Sequence, residues 1–367
     1  MLDSLKRPTA TPVKGWPSIM ERSRVADVGS ERVTMEHVAA RAGVSRALVS
    51  IVFRGVAGAS EATRERVLAA ARELDYRPDT RASRLGSSRT RTLGVTFAVG
   101  HAFHGDLLES LYTHADAAAY ELVLSGVTPS RSEVAAVETL LAERCVGIIL
   151  LGSSQETAQL ERLSARLPVV SVLRPVPGGG VGVVRTDDAA GLRLSVEHLR
   201  GLDHRRIALL DGGRTAGAAE RRRGYRTAAR RSPALTEMVL PGGVTELAGA
   251  EAARAFLGLG ARERPTAVAA FNDRCAIGFV DVVRQAGLHV PGDVSVVGFD
   301  DITEAGYPHV ALTTVRQDAE RLGAETVRSL ADRLDGASVS APTVVVVEPE
   351  LVVRSSTAPR TSPRTRS

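Results

Sequence analysis

Two sets of residues in this 367-residue chain have types and spacings that suit chemistry. The first lies at the ends of apolar runs. Asn272 and Asp273 follow Ala267–Phe271, Asp300 and Asp301 follow Val294–Phe299, and Arg221 opens a helical stretch, RRRGY, that packs beside them. Ligands of parallel α/β lobes bind beyond the carboxyl ends of strands. An arginine and an aspartate together bracket neighbouring hydroxyls, the guanidinium donating and the carboxylate accepting. Capping competes with this reading. Glu304 follows Asp300-Asp301 as in a helix start, and Asp273 suits the cap of a helix beginning at Arg274. The second set follows Ala42-Gly43-Val44, where Arg46 suits a bidentate contact to guanine, against the alternative of a solvated arginine.

Reaction chemistry has less support. GxSxG, Walker A, HExxH and a GxGxxG after a strand are all missing from the sequence. Gly178-Gly179-Gly180 has no following Lys or helix, and Asp211-Gly212-Gly213 is a loop after a strand. Asp187-Asp188 has the composition of an acid/base pair, but capping explains it more simply. The two cysteines, Cys145 and Cys275, lie far apart in apolar contexts, without CxxC or zinc spacing, as in a reducing compartment. These patterns lead us to expect a binding protein without enzymatic activity, metal or cofactor.

Stepping outward from Arg46, Met35, Val38 and Ala39 fall at i, i+3, i+4, and Leu48, Val49 and Val52 repeat that face. Gly43 supplies the positive φ that ends one helix, and Ser45 caps the next. This spacing predicts a helix-turn-helix, whose second helix is short enough for a DNA major groove. Ser60 caps a third helix, Glu61 to about Leu74. Asp79–Gly86 is polar apart from Ala82 and Leu85, a helix too short to persist alone.

From Leu93 onward, short apolar runs alternate with helical stretches. Strands are expected at 93–97, 121–124, 146–151, 169–173 and 181–184, then at 207–210, 238–240, 267–271 and 294–297. Helices are expected at 105–120, 132–144, 156–166, from 186–188 to 199, and at 221–231, 248–257 and 274–286. Alternation of this kind implies parallel sheets with helices on both faces, and two such sets imply two lobes.

Charge is unevenly distributed. Net charge is +5, yet Val33–Thr92 alone nets +5, from eleven Arg against six acidic residues. Both ends are also basic, which leaves the body acidic. Positive charge on the N-terminal segment is what phosphate neutralisation requires, although a solvated basic face would look the same. No apolar run approaches a membrane span, and the first residues lack the apolar core of an export signal.

Val33–Gly86 resembles the headpiece of the lac-repressor (LacI/GalR) family of bacterial transcription regulators. The matches are Val33, Thr34, Val38, Ala39, Ala42, Gly43, Val44, Ser45, Val49, Ser50, Tyr76, Pro78, Ala82 and Leu85. Further tags, HLRGLDHRRIALL, RRRGY, FNDRCAIG, VPGDVSVVGFDD, LTTVRQD and PELVVRSST, resemble the family's body, which is similar to periplasmic binding proteins. The resemblance covers all but the two ends. It implies an N-terminal all-α helix-turn-helix headpiece and a two-lobed α/β body of parallel sheets with three crossovers. The expected divisions are a flexible extension (1–32), the headpiece (33–78), a hinge helix and linker (79–91), the body (92–354) and a tail (355–367). Within the body, the N-lobe takes about 92–188 and 319–347, and the C-lobe about 189–318 and 348–354. The crossings fall near Asp188, Asp318 and Val347.

The resemblance also implies site roles. Thr34 joins the DNA-contacting set. Arg46, Ala47 and Ile51 reach base edges, while Ser45, Ser50 and Arg54 face phosphates. The family often has Arg where Ile51 stands and Asn where Arg54 stands, so a relative's half-site does not transfer. In the hinge, Leu85 wedges a base step beside Ala82, and Arg81 and Arg84 meet phosphates. In the cleft, Arg221, Asn272 and Asp300 hydrogen-bond an effector, Phe103 offers a ring face, and Arg174 reaches in after a strand. His101 and His104 read as surface or cap histidines. An aromatic that many members place near Val244 is missing, and Trp16 is the chain's only Trp.

The implied function is a sequence-specific transcriptional regulator, read as a repressor. A small-molecule effector, a sugar or related metabolite, switches its affinity for a near-palindromic operator on double-stranded DNA. It would act as a cytoplasmic homodimer, nucleoid-associated when bound, with no membrane partner; the tail lacks the leucine heptads of a tetramerising coil. The alternative is a cytoplasmic small-molecule binding protein of the same body fold without a regulatory role, against which the basic headpiece and missing leader weigh.

Overall fold

A computed structural model describes residues 33–53, 55–76, 91–231, 235–336 and 342–360. The chain divides into two compact units, Met1–Ser88 and Arg89–Ser367.

In the first unit, α1 (Met35–Ala42), α2 (Arg46–Phe53) and α3 (Glu61–Glu73) enclose a core of Val38, Ala39, Val49, Val52, Val67, Ala70 and Ala71. Gly43 has φ 66° and stops α1, so the chain turns within three residues. Ser45 Oγ accepts the Leu48 N–H at 3.2 Å, and Ser60 Oγ that of Thr63 at 3.3 Å. Both caps satisfy amides that a helix start leaves unpaired. Phe53 meets Tyr76 with ring centroids 5.7 Å apart, which closes the core from below. Leu48 departs from the expected core face: it is only partly buried and takes no place in the cluster, whereas Phe53 packs against it.

The second unit contains two six-stranded sheets. The first runs β11-β5-β4-β3-β1-β2, all parallel. Its strands are β1 (Thr92–Ala98), β2 (Glu121–Val127), β3 (Gly147–Leu151), β4 (Val169–Val172), β5 (Val181–Thr186) and β11 (Val344–Val347). The second runs β12-β10-β9-β8-β6-β7, parallel except for β12 against β10. It comprises β6 (Arg206–Asp211), β7 (Thr236–Pro241), β8 (Ala267–Ala270), β9 (Ser295–Asp300), β10 (Thr313–Arg316) and β12 (Glu350–Val352). Central strands such as β3 and β4 are buried at every residue, as strands covered on both faces must be.

The chain passes between lobes three times: from β5 into helix Asp188–Gly201, from β10 into helix Ala319–Leu334, and from β11 to β12. The alternating pattern accounts for most of this order. It does not include β10, helix Ala319–Leu334, β11 or β12, which belong to the two return crossings. Helix Ala319–Leu334 carries its own helical period, burying Leu322, Thr326, Val327 and Leu330. It lies on helix Phe103–Ala117, where Ser110 Oγ donates to Glu320 O at 3.1 Å and a side chain at Gly323 would collide with Ser110. Among the described residues, no helix is long and apolar enough to cross a membrane.

Candidate functional site

Two surfaces carry the residues singled out above. On the first unit, Thr34, Ser45, Arg46 and Ala47 are exposed, and Ser50 and Ile51 are partly so. Arg46, Ala47, Ser50 and Ile51 share one side of α2 at helical spacing, opposite the buried Val49 and Val52. Arg46 Nε lies 3.0 Å from Glu36 Oε1, and both side chains are more than half exposed. Thr34 N–H donates to His37 Nδ1 at 3.3 Å. Ile51 leans on Gly58, where an added Cβ would meet it at 3.5 Å. Arg54, Arg81, Ala82, Arg84 and Leu85 lie outside the described residues.

The second surface is a cavity of about 320 Å³ between the two sheets of the body. One wall comes from the carboxyl ends of β1, β2, β3 and β4 and the loops after them, with Ala98, His101, His104, Val127, Gly152 and Leu173; the other has Thr215, Ala216, Arg221, Val244 and Thr245, and Gln317 stands at a crossing. The carboxyl ends of both sheets therefore face one space, as parallel α/β topology arranges. At its mouth Arg274 joins the lobes: its guanidinium donates to Gly100 O at 2.5 Å and pairs with Glu246 at 2.6 Å.

Arg221 is the organising charge. It is 6% exposed; its Nε donates to Asp188 Oδ1 at 2.8 Å and its Nη1 to Phe271 O at 2.5 Å. Nη2 is 3.7 Å from Asp300 Oδ1, and the guanidinium lies 3.6 Å from the Phe299 ring centroid. Asp300 is buried and also accepts from Gln317 Nε2 at 2.7 Å, while Gln317 Oε1 accepts from Thr186 at 2.7 Å. Burial pushes Asp188 and Asp300 each up to about 6, with Arg221 opposing the rise.

The structure changes several expected placements. Phe103 is 1% exposed within the core, so its ring offers no face to the cavity. Helix Phe103–Ala117 begins there, two residues earlier than expected, and turns the ring inward. Arg174 donates to Ser153 O at 3.0 Å and to Gln155 O, clamping the loop after β3 instead of reaching the cavity. Asn272 is the helix cap: its Oδ1 accepts from Cys275 N–H at 2.9 Å and its Nδ2 donates to Val244 O at 3.2 Å, so it supports the wall from behind. Asp273, expected as that cap, instead lies fully buried and accepts from Thr314 and Ile302. Of the five cleft candidates only Arg221 lines the cavity, with Asp300 directly behind it.

Four residues at the site were not among the expected ligand contacts: Asp188, read as a cap, Gln317, and His101 and His104, which were expected as surface or cap histidines but are enclosed in the cavity wall. Asp188 and Gln317 occupy crossings whose course the local pattern does not encode. The histidines did carry a signal, an i, i+3 spacing in the first βα loop that puts both on one side of a helical turn. His104 Nδ1 accepts the Ala98 N–H at 3.1 Å, and the His101 ring stacks on His104 with centroids 4.3 Å apart. Burial depresses His101 to about 4 and His104 well below the usual range. The described residues include no group of His, Cys, Asp and Glu able to hold a metal ion.

The sequence and fold are similar to those of known proteins. Residues 34–79 match the family model of bacterial regulatory proteins, lacI family, and residues 196–357 match a periplasmic binding protein-like domain. The HTH-type transcriptional regulator GalR of Salmonella typhimurium is 33% identical over 329 residues, covering 88% of this chain and 95% of its own. DegA of Bacillus subtilis, another HTH-type transcriptional regulator, is 30% identical over 337 residues, covering 89% of this chain and 99% of its own. Among solved structures, the lac repressor dimer bound to operator and the anti-inducer ONPF superposes with a TM-score of 0.75 at 28% identity, over 89% of this chain and all of that one. A LacI transcriptional regulator from a Rhodococcus species gives 0.70 at 42% identity, over 73% of this chain and 99% of its own.

Proposed function

Because this chain belongs to the lacI family of bacterial regulatory proteins, we propose that it is a sequence-specific DNA-binding transcriptional repressor whose operator affinity is switched by a small-molecule effector. The observation that carries this reading is the pairing of an exposed recognition face on α2 with a cavity walled by both lobes of the body. A ligand that touches both walls binds one relative placement of the lobes more tightly than another, and that difference is what allows it to shift an equilibrium. Reciprocity follows: an effector that weakens operator binding is itself bound less tightly by the DNA complex.

On the DNA side, Arg46, Ala47 and Ile51 read base edges, and Thr34, Ser45, Ser50 and Arg54 hold phosphates. Ile51 offers only apolar contact, such as to a thymine methyl. Arg81, Ala82, Arg84 and Leu85 form the minor-groove element. On the effector side, Arg221 and Asp300 form the floor. The working unit is a homodimer in the cytoplasm on a near-palindromic operator; exposed Tyr112 and Leu124 on the first lobe and Leu247 on the second support a surface that a second copy covers. The cleft binds without turning over its ligand, since Asp188 and Asp300 are both engaged by Arg221.

Fluorescence anisotropy with promoter fragments from upstream of its own coding sequence tests the reading. The protein is expected to select one fragment over unrelated duplex, with log affinity falling linearly as log salt rises. Equal binding to all duplexes at every ionic strength would overturn it.

A further inference from the structure

The cavity wall holds one buried donor without a partner. His104 is 3% exposed, and its Nδ1 accepts from the Ala98 N–H. A neutral imidazole that accepts at one nitrogen carries its proton on the other, so Nε2 is an N–H donor. That Nε2 has no hydrogen-bond partner and stands beside Gly152, where an added Cβ would lie 3.4 Å from it. His101 stacks against the ring, and its Nδ1 is also unpartnered. A buried donor left without a partner is unfavourable, and a ligand's acceptor recovers that cost.

Among the described residues, the one formally charged side chain lining the cavity is Arg221, and no Asp or Glu does so. Burial is the main cause that disfavours protonation of His101, and Arg221 and Arg274 add to it from across the cleft. Asp188 and Asp300 engage Arg221 from the side away from the cavity lining, and Glu246 holds Arg274. Gln317 Oε1 takes the Thr186 hydroxyl and Asp300 Oδ1 takes Gln317 Nε2, which leaves the hydroxyls of Thr128, Thr215 and Thr245 as the neutral polar groups of the lining besides the histidines. The remaining wall is largely apolar, with Val127, Pro129, Leu173 and Val244.

We propose that the effector is a compact monocarboxylate, its carboxylate accepting the His104 Nε2–H and facing Arg221, its apolar body lying against Val127, Leu173 and Val244. The inference rests on reading the cleft as the effector site. A single negative charge fits, because a phosphate dianion would bring a second charge toward an arginine already flanked by two aspartates. The cavity volume sits at the small end of the usual ligand range of about 300–1,000 Å³, which excludes a large ligand.

Matched pairs test it on the full chain: benzoate with benzamide and hexanoate with hexanamide, alongside glucose and inorganic phosphate, by calorimetry and thermal shift. At least one acid is expected to bind about tenfold or more tightly than its amide, with glucose and phosphate silent. His104→Asn keeps an acceptor for the Ala98 N–H and withdraws the donor from the cavity, so it should cost that acid about tenfold in affinity. As a second readout, ¹⁵N-resolved NMR of wild-type protein should show the His104 Nε2–H signal moving with the acid and not with its amide. Acids binding no better than amides, or glucose or phosphate binding instead, would overturn the proposal. So would an acid whose affinity and His104 signal are both indifferent to position 104. Operator anisotropy on the same samples separates the two levels: selective DNA binding with no acid effect sinks the carboxylate alone, whereas lost DNA selectivity sinks the regulator reading.

Discussion

Arg221 and Asp188 form a buried ion pair, Nε to Oδ1 at 2.8 Å, that fastens a second-lobe helix to the residue at which the chain first changes lobes. Asp188 opens helix Asp188–Gly201 directly after β5, and Arg221 lies in helix Ala218–Arg230. Arg221 thus serves the crossing as well as the cavity. Removing it would leave two carboxylates without their cation. Breaking a buried pair from one side costs about 3–5 kcal/mol, mostly as the penalty of the stranded charge. Arg221→Ala is expected to destabilise the body by that order at neutral pH and by less near pH 5, where the stranded carboxyls hold protons. Urea unfolding followed by circular dichroism checks this; equal losses at both pH values would refute it.

Two sets of buried groups give opposite slopes of stability against pH. His101 titrates at about 4 in the fold and ordinarily at 6.5, so between those values the unfolded chain binds a proton that the folded chain refuses. Its contribution is therefore lost as pH falls through that window. Asp300 titrates at about 6 in the fold against an ordinary 3.8, so there the folded chain holds the extra proton and gains stability as pH falls. Relative to wild type, His101→Gln should become more stable on acidification from about pH 7 to 4.5, and Asp300→Asn less stable. Thermal melts across that range give the two differences directly, and parallel curves would contradict the assignment.

Helices Glu246–Gly258 and Asp273–Gln285 cross with backbones in contact. A Cβ at Gly278 would sit 1.9 Å from Glu246 O, and one at Gly249 2.0 Å from Cys275 O. Neither obstruction is a side-chain end that can swing away. Gly278→Ala should lower stability by about 1–3 kcal/mol through overpacking, despite the better helix propensity of alanine. The same crossing carries Arg274 and Glu246 to the cavity mouth, so ligand response should weaken too. An unchanged melting temperature would show that the helices can separate.

On the headpiece, Glu36 pairs with Arg46, so under the proposed DNA contact it would compete with DNA for that guanidinium. The pair is exposed, so it contributes little to stability. Glu36→Gln should raise operator affinity at low salt with little change in melting temperature. Arg46→Ala should weaken the operator by about 1–3 kcal/mol and relax selectivity at one base position. Anisotropy against a set of single-position operator variants distinguishes this from a phosphate contact, whose loss would weaken all sequences alike.

In the hinge, Leu85→Ala should reduce specific binding far more than nonspecific binding, because a wedge acts only where a base step opens. Equal losses on operator and unrelated duplex would remove Leu85 from that role.

The sequence alone determined whatever depends on neighbours along the chain. Periodicity and capping residues set the helix-turn-helix, since Gly43, Ser45 and Ser60 act on amides within four positions. Alternating apolar runs set the two parallel sheets, and Arg221 and Asp300 marked the floor of the cleft. Tertiary structure decided what depends on where separate segments meet. Which lobe receives helix Ala319–Leu334, and which sheets strands β10, β11 and β12 join, follows from the return crossings and not from local pattern. Phe103 and Asn272 were expected at the ligand because their segments end at the right edge of the sheet, but an earlier helix start buries the one and the Cys275 amide engages the other. His104 became a cavity donor only because the Ala98 amide occupies its other nitrogen. A proton's place on an imidazole is set by a partner in space, and spacing along a chain carries no record of it.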